Sequence, residues 1–506
     1  MNARPYTIEE YTRTVCPHCA HEGPLDSRGA ETFVDGMLVS HDDSIWMRRW
    51  CRRHGETESL YEEDAATWRS RAGWQTPTLE VTPDRADNFA GFPDGYRLGL
   101  PAGHGQHSCI LLLNITENCN YKCPTCFASA LDPGSALKGP SLDALLHTVD
   151  TAIAREGGKL SVVMLSGGEP TLRRDLEELI LRLCERPITR VMLNTNGRRV
   201  DRDEAFVKFL SDHRDRVEVY LQFDGLTSAV YQELRAEDVL AEKNRILAKL
   251  DAARVFTTLV CTAKMGVNDD QLGDVLALGL DTKYCSGIAF QPVFGSGRNS
   301  GIDPINRLTP TGVIKRLSPY LKGEDFIPLP CSHKDCCDIA YLVRDKQDEW
   351  KSIVSMIGRD EMKNWIHLAA NTISFENMRE SVQSMVRSGV LTRLLSEQQR
   401  ASSLQVAKDL LTMCDCVPGL TDLMGGLWAK FRGASSLDDQ LATRTFRVTV
   451  KMFMDAHTFH EARIRQCCVH VGTFEDDPRR YSFCWRWMFE DATDFPQRES
   501  NLRVIE

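Results

Sequence analysis

Three cysteines in the middle of the chain have the spacing of iron–sulfur ligands. Cys119, Cys123 and Cys126 form the pattern C-x3-C-x2-C within CNYKCPTCF. Three thiolates on one loop can hold three irons of a [4Fe–4S] cluster. The loop has no fourth cysteine, so we expect the fourth iron to stay open to a small-molecule ligand. A purely structural metal site is the alternative.

A second set of metal-ligand residues lies near the start of the chain. Cys16 and Cys19 form a CxxC pair, and Cys51 and His54 form a CxxH pair further on. Two such knuckles fit tetrahedral zinc or a single rubredoxin-like iron. We therefore predict one mononuclear Fe or Zn at these four residues, although His54 could instead be a surface side chain of the RRHG turn.

The last third of the chain carries eight more cysteines in three short motifs, C-x4-C-C, C-x-C and C-C-x15-C. They are Cys331, Cys336, Cys337, Cys414, Cys416, Cys467, Cys468 and Cys484. Eight is the number that two fully ligated [4Fe–4S] clusters require, so we predict two auxiliary clusters. Some of these cysteines could instead be buried as small apolar side chains.

Four cysteines stand outside these motifs: Cys109, Cys184, Cys261 and Cys285. They lie in or beside predicted strands and helices. We expect them to pack in the core, as free cysteines usually do. Cys285, just before a predicted strand, is also a weak candidate to face the active site.

The region 109–300 supplies the scaffold, because short apolar runs alternate there with helix-like stretches. The runs are Cys109–Ile115, Leu160–Leu165, Arg190–Thr195, Val217–Phe223, Thr257–Cys261 and Ile288–Val293. The helix-like stretches include Leu142–Arg155, Arg174–Glu185 and Ala241–Ala253. Strands that alternate with helices predict an α/β fold with a parallel sheet. Six strands are enough for a partial (β/α)6 barrel, with functional loops after the carboxyl ends of the strands.

Polar residues beside glycines follow these strands. The second strand ends in Ser-Gly-Gly-Glu-Pro, which contains Gly167, Gly168 and Glu169. Asn196 and Asp224 end the third and fourth strands, each beside a glycine, and Gln291 lies within the sixth. Glycines permit a close approach of backbone to a ligand. Asn-Gly and Asp-Gly also occur as ordinary turn residues, so a simple turn is an equally good interpretation of these two positions.

The cysteine loop after the first strand and the Gly-Gly-Glu turn after the second resemble the radical SAM superfamily. In that family the three cysteines bind a [4Fe–4S] cluster, S-adenosyl-L-methionine (SAM) chelates the unique iron, and the turn contacts the SAM amino group. The resemblance implies these roles for the cysteine loop and for Gly167, Gly168 and Glu169. It places Asn196 and Asp224 near the SAM ribose or the substrate, and Gln291 could line the same pocket. Thr125 stands where the family usually has an aromatic residue, which leaves the packing of the adenine edge open.

The full set of motifs is more specific. CPHC with CRRH, CNYKCPTCF, PCSHKDCC and RQCCVH resemble the branch that contains the tetraether lipid synthases, earlier associated with pterin methylation. That branch implies one SAM-binding cluster, two auxiliary clusters and a mononuclear metal. It also implies that SAM is cleaved to a 5′-deoxyadenosyl radical, which abstracts hydrogen from an unactivated carbon.

Carbon–carbon bond formation on lipid alkyl chains is the main functional prediction. The alternatives are a radical SAM methylase of a small molecule such as a pterin, or a peptide-modifying radical SAM enzyme. A non-catalytic iron–sulfur electron carrier is disfavoured by the Gly-Gly-Glu turn. The expected partners are a small-molecule or lipid substrate and an electron donor such as ferredoxin or flavodoxin.

The chain is predicted to have four parts. Residues 1–70 form the Cys3His metal module, and 71–108 form a connector rich in Pro, Gly and Asp. Residues 109–300 form the partial barrel, and 301–506 form an auxiliary iron–sulfur domain. That domain contains a helical insertion at 345–413, which could cover an apolar tunnel or simply pack on the core.

Composition narrows the class of protein and the cellular compartment. The chain has 506 residues, 18 cysteines and a formal net charge of −10, which disfavours a short disulfide scaffold and a nucleic-acid partner. Residues Met1–Glu10 are polar and no apolar run is long enough to span a bilayer, so neither a signal peptide nor a membrane span is expected. We predict a cytoplasmic protein, with peripheral contact at the inner face of the membrane left open.

Overall fold

Two β-sheets organise the chain. The structure, a computed structural model, describes residues 6–21, 33–74, 81–132, 139–299, 301–329, 331–344, 348–360, 362–363 and 443–489. A four-stranded antiparallel sheet is followed by a twelve-stranded mixed sheet. No helix within these ranges is long and apolar enough to cross a membrane.

The N-terminal sheet is a meander in chain order. It contains β1 (Thr7–Val15), β2 (Phe33–His41), β3 (Ser44–Cys51) and β4 (Gly55–Glu62), with α1 (Pro17–His21) after β1 and α2 (Ala65–Arg69) after β4. Buried and half-buried residues alternate along β3, as expected where one face of a sheet meets a core. That face packs Ile45 and Met47 against Trp68. The meander brings the end of β1 close to the turn after β3.

Six parallel strands form the centre of the large sheet, and their order follows the chain. They are β5 (Ile110–Thr116), β6 (Leu160–Gly167), β7 (Ile188–Thr195), β8 (Val217–Gln222), β9 (Thr257–Ala263) and β10 (Cys285–Pro292). The connections carry α3 (Leu142–Arg155), α4 (Leu176–Cys184), α5 (Arg198–Arg202), α6 (Glu204–Asp212), α7 (Ser228–Arg235), α8 (Leu240–Ala252) and α9 (Leu272–Asp281). The predicted alternation of strands and helices is confirmed. The strands are almost wholly buried, because helices cover the face that packs against the main core.

Strands from the C-terminal part extend both edges of this parallel sheet, so the barrel is not closed. They are β11 (Ile327–Pro328), β12 (Cys337–Arg344), β13 (Trp350–Ser352), β14 (Thr445–Lys451), β15 (Val469–Gly472) and β16 (Arg480–Ser482). β14 pairs parallel with β10, and β15 pairs parallel with β5. The sheet therefore continues across the boundary predicted at residue 300.

Short helical segments complete the described chain. They are α10 (Pro310–Arg316), α11 (Ile353–Ile357), α12 (Glu461–Arg465) and α13 (Phe483–Phe489), with 3-10 turns at Asp94–Leu98, Pro170–Leu172 and Gly323–Asp325. Most of the predicted helical insertion 345–413 lies outside the described residues. Its start differs from the prediction: β13 is a strand because it pairs antiparallel with the edge of β12.

Buried ion pairs connect the N-terminal sheet to the large one. Arg71, just after α2, donates to both carboxylate oxygens of Asp338 on β12, at 3.0 and 2.6 Å. It also donates to Glu62 at 2.6 Å. The other oxygen of Glu62 accepts from the backbone and hydroxyl of Thr311, both at 2.9 Å. Breaking a buried pair on one side costs about 3–5 kcal/mol, so these contacts hold the two sheets firmly together.

Candidate active site

A cavity lies at the carboxyl ends of the parallel strands, where the loops of an α/β sheet place functional groups. The predicted residues that line it are Cys119, Cys123, Cys126, Gly167, Gly168, Glu169, Asn196 and Gln291. The fold thus brings together residues from the loops after β5, β6 and β7 and from β10. Asp224 is absent from the described lining.

The cysteine loop is fixed by contacts from several elements. Arg298 donates from its side chain to the Cys123 carbonyl at 3.1 Å and from its backbone to the Cys126 carbonyl at 3.0 Å. The Asn196 amide donates to Asn120 at 2.7 Å. Sequence reasoning missed Arg298, because 172 residues separate it from the loop.

Two thiols of the cysteine loop resist ionisation. Burial raises the pKa of Cys119 to about 12 and also raises that of Cys123. Loading this site must therefore displace protons, which iron does by binding the thiolate.

The Gly-Gly-Glu turn packs directly on the cysteine loop. Gly167 has φ +120°, a backbone conformation that favours glycine. A Cβ on Gly168 would collide with the carbonyl of Asn118. Gly168 N also donates to Thr116 O, and Glu169 N donates to Asn118 O, both at 2.7 Å. The two glycines are thus required for the turn to reach the loop.

The Glu169 carboxylate is buried and joins the turn to the end of β7. Its Oε1 accepts from the hydroxyls of Thr171 and Thr195 at 2.5 and 2.6 Å, and from Thr171 N at 3.1 Å. Its Oε2 accepts from Asn196 N at 2.8 Å. The carboxylate is therefore held rigidly at the cavity wall, with most of its hydrogen-bonding capacity already used by the protein.

The structure pairs Asp224, which was predicted to lie near SAM or the substrate, with a buried arginine. Its carboxylate is fully buried and accepts from Arg235 Nε and Nη2 at 2.7 and 2.5 Å. Arg235, rather than Asp224, lines the cavity. Positive charge on Arg235 acts to lower the pKa of the neighbouring Cys123 thiol, although burial outweighs it. The aspartate thus neutralises the buried guanidinium that borders the cavity.

The far wall of the cavity is largely apolar. It includes Ile110, Leu112, Met164, Phe453, Val469 and Phe483. Polar side chains also border the cavity, among them Gln291, Tyr220 and Lys451. Gln291 donates to the Tyr220 hydroxyl at 3.1 Å. Tyr220 and Lys451 have no motif in the sequence, because only the pairing of β14 with β10 brings Lys451 to this edge.

The four predicted N-terminal ligands form a closed set. Cys16, Cys19, Cys51 and His54 have ligand atoms within 4.8 Å of one another. His54 Nδ1 lies 3.5, 3.4 and 3.6 Å from the three sulfurs in that order, and the sulfurs of Cys19 and Cys51 are 3.8 Å apart. Such edges fit a tetrahedron with metal–sulfur and metal–nitrogen distances of about 2.3 and 2.0 Å.

Two ribbon cysteines differ in how readily they ionise. Burial raises the pKa of Cys19 to about 12. Burial also opposes ionisation of Cys51, but hydrogen bonds from the backbone N–H groups of Arg53 and His54 lower its pKa to about 6. Cys51 is thus better prepared than Cys19 to meet a metal ion as thiolate.

Cys109 is not an isolated packing residue, which corrects the sequence prediction. Its sulfur lies with those of Cys331 and Cys468 within 4.8 Å, and the last two are 3.7 Å apart. The parallel pairing of β15 with β5 sets Val469 opposite Ile110. The residues just before them, Cys468 and Cys109, are therefore neighbours.

The remaining cysteines divide between a second group and the core. Burial is the largest cause that raises the pKa of Cys484 to about 12. Negative charge on Cys467 and Cys336 contributes to the same shift, so the three thiols lie near one another. A hydrogen bond with Cys109 is the largest cause that raises the pKa of Cys331, and negative charge on Cys337 also raises it. Cys337 therefore lies near the Cys109 group. Cys414 and Cys416 lie outside the described residues.

The other three isolated cysteines pack as predicted. Cys261 and Cys285 are buried in the main core, and Cys184 packs against it. Cys285 does not line the described cavity, so the weaker prediction that it faces the active site is wrong.

Comparison with known families agrees with this geometry. The Radical SAM superfamily profile matches residues 113–279. The HMPTM N-terminal zinc ribbon domain profile matches residues 8–63. The first match contains the cysteine loop and the Gly-Gly-Glu turn, and the second contains the four N-terminal ligands.

Individual proteins are similar over different lengths. A 7,8-dihydro-6-hydroxymethylpterin dimethyltransferase of Methanocaldococcus jannaschii is 24% identical over 505 residues, which cover 94% of this chain and 93% of the relative. A GTP 3′,8-cyclase of Stenotrophomonas maltophilia is 29% identical over 34% of this chain and spans about half, 52%, of that relative. A Streptococcus suis protein, solved with its precursor peptide, has a TM-score of 0.36 at 15% identity, over 43% of this chain and 46% of that one. The two profile matches alone show a radical SAM domain at 113–279, preceded by a zinc-ribbon domain at 8–63.

Proposed function

We propose that this radical SAM enzyme functionalises an unactivated carbon of a small molecule, with methylation of a pterin-like heterocycle as the leading reaction. The observation that supports radical chemistry is a single cavity lined by Cys119, Cys123, Cys126 and the Gly167–Glu169 turn. Similarity to a pterin dimethyltransferase over 94% of the chain favours methylation over the lipid coupling predicted first.

The residues of the chain have distinct tasks in this proposal. When bound, the cluster and SAM supply a 5′-deoxyadenosyl radical that can take hydrogen from an unactivated carbon. Cys119, Cys123 and Cys126 hold the cluster. Gly167 and Gly168, which bring the turn onto the cysteine loop, would let the methionine part of SAM approach the backbone closely. Glu169 would accept from the ammonium group of SAM through Oε2, which among the described residues receives one hydrogen bond, from Asn196 N.

Water must be kept from such a radical, and aromatic side chains beside the cysteine loop serve this purpose. Phe127 packs against Phe294, Phe483 and Trp487, with ring centroids 5.8, 5.7 and 5.0 Å away. Phe453 packs on Phe483 at 4.1 Å. These rings form a continuous apolar surface beside the cysteine loop.

We assign the late cysteines to two auxiliary clusters. One is held by Cys109, Cys331, Cys337 and Cys468, and the other draws on Cys336, Cys467 and Cys484. Grouping of the first set is supported by the convergence of the Cys109, Cys331 and Cys468 sulfurs, which come from segments far apart in the sequence. The second set is supported by the mutual electrostatic effects of its thiols. The mononuclear metal occupies the ribbon, and ferredoxin or flavodoxin supplies electrons.

Lipid carbon–carbon coupling is the second candidate, and the apolar far wall favours it. An alkyl chain would fit against Ile110, Leu112 and Met164 without needing polar partners. The polar side chains of Gln291, Tyr220 and Lys451 on the same wall suit a heterocycle better.

One experiment separates the two candidates. Protein reconstituted anaerobically is given SAM, dithionite and 6-hydroxymethyl-7,8-dihydropterin, and pterin products are followed by mass spectrometry. Lipids of a strain that lacks the gene are profiled alongside. We expect a methylated pterin and an unchanged lipid profile. An unmodified pterin together with missing coupled lipids would establish the second candidate instead.

A further inference from the structure

Lys451 occupies an unusual place between the cavity and the auxiliary cysteines. It ends β14, one residue after Val450, which pairs with Phe290 of β10, and it lines the cavity. On its other side β14 pairs antiparallel with β12, and Lys451 is directly opposite Cys337. Residues directly opposite in an antiparallel pair share one face of the sheet, with Cβ atoms about 4.5–5.5 Å apart. The ammonium therefore stands beside a proposed ligand of the first auxiliary cluster.

The two cations that line the described cavity differ in their partners. Arg235 is neutralised by both oxygens of Asp224. Lys451 makes no ion pair with a carboxylate of the described residues, and its Nζ lies 5.3 Å from the centre of the Phe453 ring. Among the described residues, the pairing with β12 thus sets Lys451 beside Cys337 rather than beside a carboxylate.

We propose that Lys451 is a positioning residue that raises the reduction potential of the auxiliary cluster held by Cys109, Cys331, Cys337 and Cys468. Net charge near a cluster is one of the main determinants of its potential. A fixed positive charge stabilises the reduced form, which carries one more negative charge than the oxidised form. This inference rests on the ligand assignment made under the proposed function, but not on the identity of the substrate.

Potentiometric titration followed by EPR tests the proposal without any turnover. The reconstituted full chain is compared with Lys451→Met, which removes the charge at similar length, and with Lys451→Arg, which keeps it. Lys208→Met removes an exposed lysine paired with Asp212 on α6 and controls for net charge. The signal to follow is the one that a Cys109→Ala variant lacks and that SAM addition leaves unchanged.

The Lys451→Met variant should have a lower midpoint potential. At the wild-type midpoint its ratio of reduced to oxidised cluster should fall at least about tenfold, which is 59 mV for a one-electron couple. The Arg variant and the Lys208→Met control should stay within about threefold of wild type. An unchanged potential in Lys451→Met would overturn the proposal.

The remaining outcomes are also decisive. If the Met variant loses the cluster, Lys451→Gln replaces it in the same titration. Loss of the cluster from the Met, Gln and Arg variants alike would show a purely structural position and overturn the proposal. Retention by the Arg variant alone would support it, since the cluster would then require positive charge. Iron sufficient for the SAM-binding cluster alone in the wild type would instead refute the ligand assignment, and the lysine proposal with it.

Discussion

The N-terminal ribbon and the central cysteine loop use the same side chains in opposite ways. In the ribbon, Cys16, Cys19 and Cys51 are buried, and their sulfurs close on His54 within 4.8 Å. In the loop, Cys119 and Cys126 are only half-buried and line a cavity. A closed set of four ligands is typical of structural metal sites, whereas a reactive site keeps a position open. Loss of the ribbon should therefore affect stability, and loss of the loop should affect chemistry.

Removal of a loop ligand should have the largest effect on SAM cleavage. In Cys123→Ala the cluster loses one of its three protein ligands, so we expect formation of 5′-deoxyadenosine to fall at least about 10³-fold. Anaerobic assays with dithionite measure the product by liquid chromatography. Ribbon metal should remain bound, and Cys184→Ala on α4 should behave like wild type. Residual cleavage within tenfold of wild type would contradict the assignment.

Loss of the Asp224–Arg235 pair should have the next largest effect, because Arg235 forms part of the cavity wall beside Cys123. Asp224→Ala leaves a buried guanidinium unpaired, which should lower the free energy of unfolding by about 3–5 kcal/mol. We also expect SAM cleavage to fall, because Arg235 borders Cys123 in the cavity wall. Chemical denaturation and the cleavage assay measure the two effects.

A surface pair of the same type provides the control. Asp201 accepts from Arg245 at 3.1 and 2.8 Å on the outside of the protein. Asp201→Ala should lower the free energy of unfolding much less, because solvent screens an exposed ion pair. Equal losses in the two variants would mean that the buried pair has no special role.

Loss of a ribbon ligand should leave SAM cleavage almost intact. Cys51→Ala should release one metal ion per chain and destabilise the protein by several kcal/mol, because binding of structural zinc contributes about 10–16 kcal/mol to folding in zinc-finger peptides. Metal analysis and thermal unfolding measure these changes. Cleavage per folded, cluster-loaded chain should stay within about threefold of wild type. A loss as large as that of Cys123→Ala would remove the distinction between the two sites.

The smallest effect is expected where the ribbon sheet meets the C-terminal part. Glu10 on β1 accepts from His460 Nε2 at 3.1 Å, and this hydrogen bond is the largest factor that lowers the pKa of Glu10 to about 2. A lowered carboxyl pKa stabilises the fold above its unfolded value of about 4.3, and this stability is lost as the pH falls toward 2.

Substitution of Glu10 tests this contribution. Glu10→Gln should cost about 1–3 kcal/mol at pH 7 and leave SAM cleavage unchanged. Its difference from wild type should shrink between pH 4.5 and 2. A difference that stays constant over this range, measured by denaturation at each pH, would rule out the carboxylate as its source.

Local patterns were enough to predict much of the central fold. The predicted helix Leu142–Arg155 has the bounds that the structure shows, because its apolar period and its Ser141 cap are local features. Spacing within short motifs likewise predicted the loop cysteines and the ribbon ligands that the structure brings together. Both depend on residues that are close in sequence.

Contacts between distant segments could not be predicted. Cys109 looked like a strand residue, because only the pairing of β5 with β15, over 350 residues away, brings it to Cys468. Lys451 has no motif, and its place at the cavity depends on β14 joining the edge of β10. Asp224 was assigned to the cavity because the sequence does not show that Arg235 on α7 would pair with it.

The most direct test of the account is SAM cleavage by the anaerobically reconstituted chain. Iron is counted first, and 5′-deoxyadenosine is then measured after addition of SAM and dithionite. We predict that the wild-type protein produces 5′-deoxyadenosine and that Cys119→Ala, which removes one loop ligand, does not. Absence of 5′-deoxyadenosine from wild-type protein with its full content of iron would contradict the assignment of radical chemistry to this cavity.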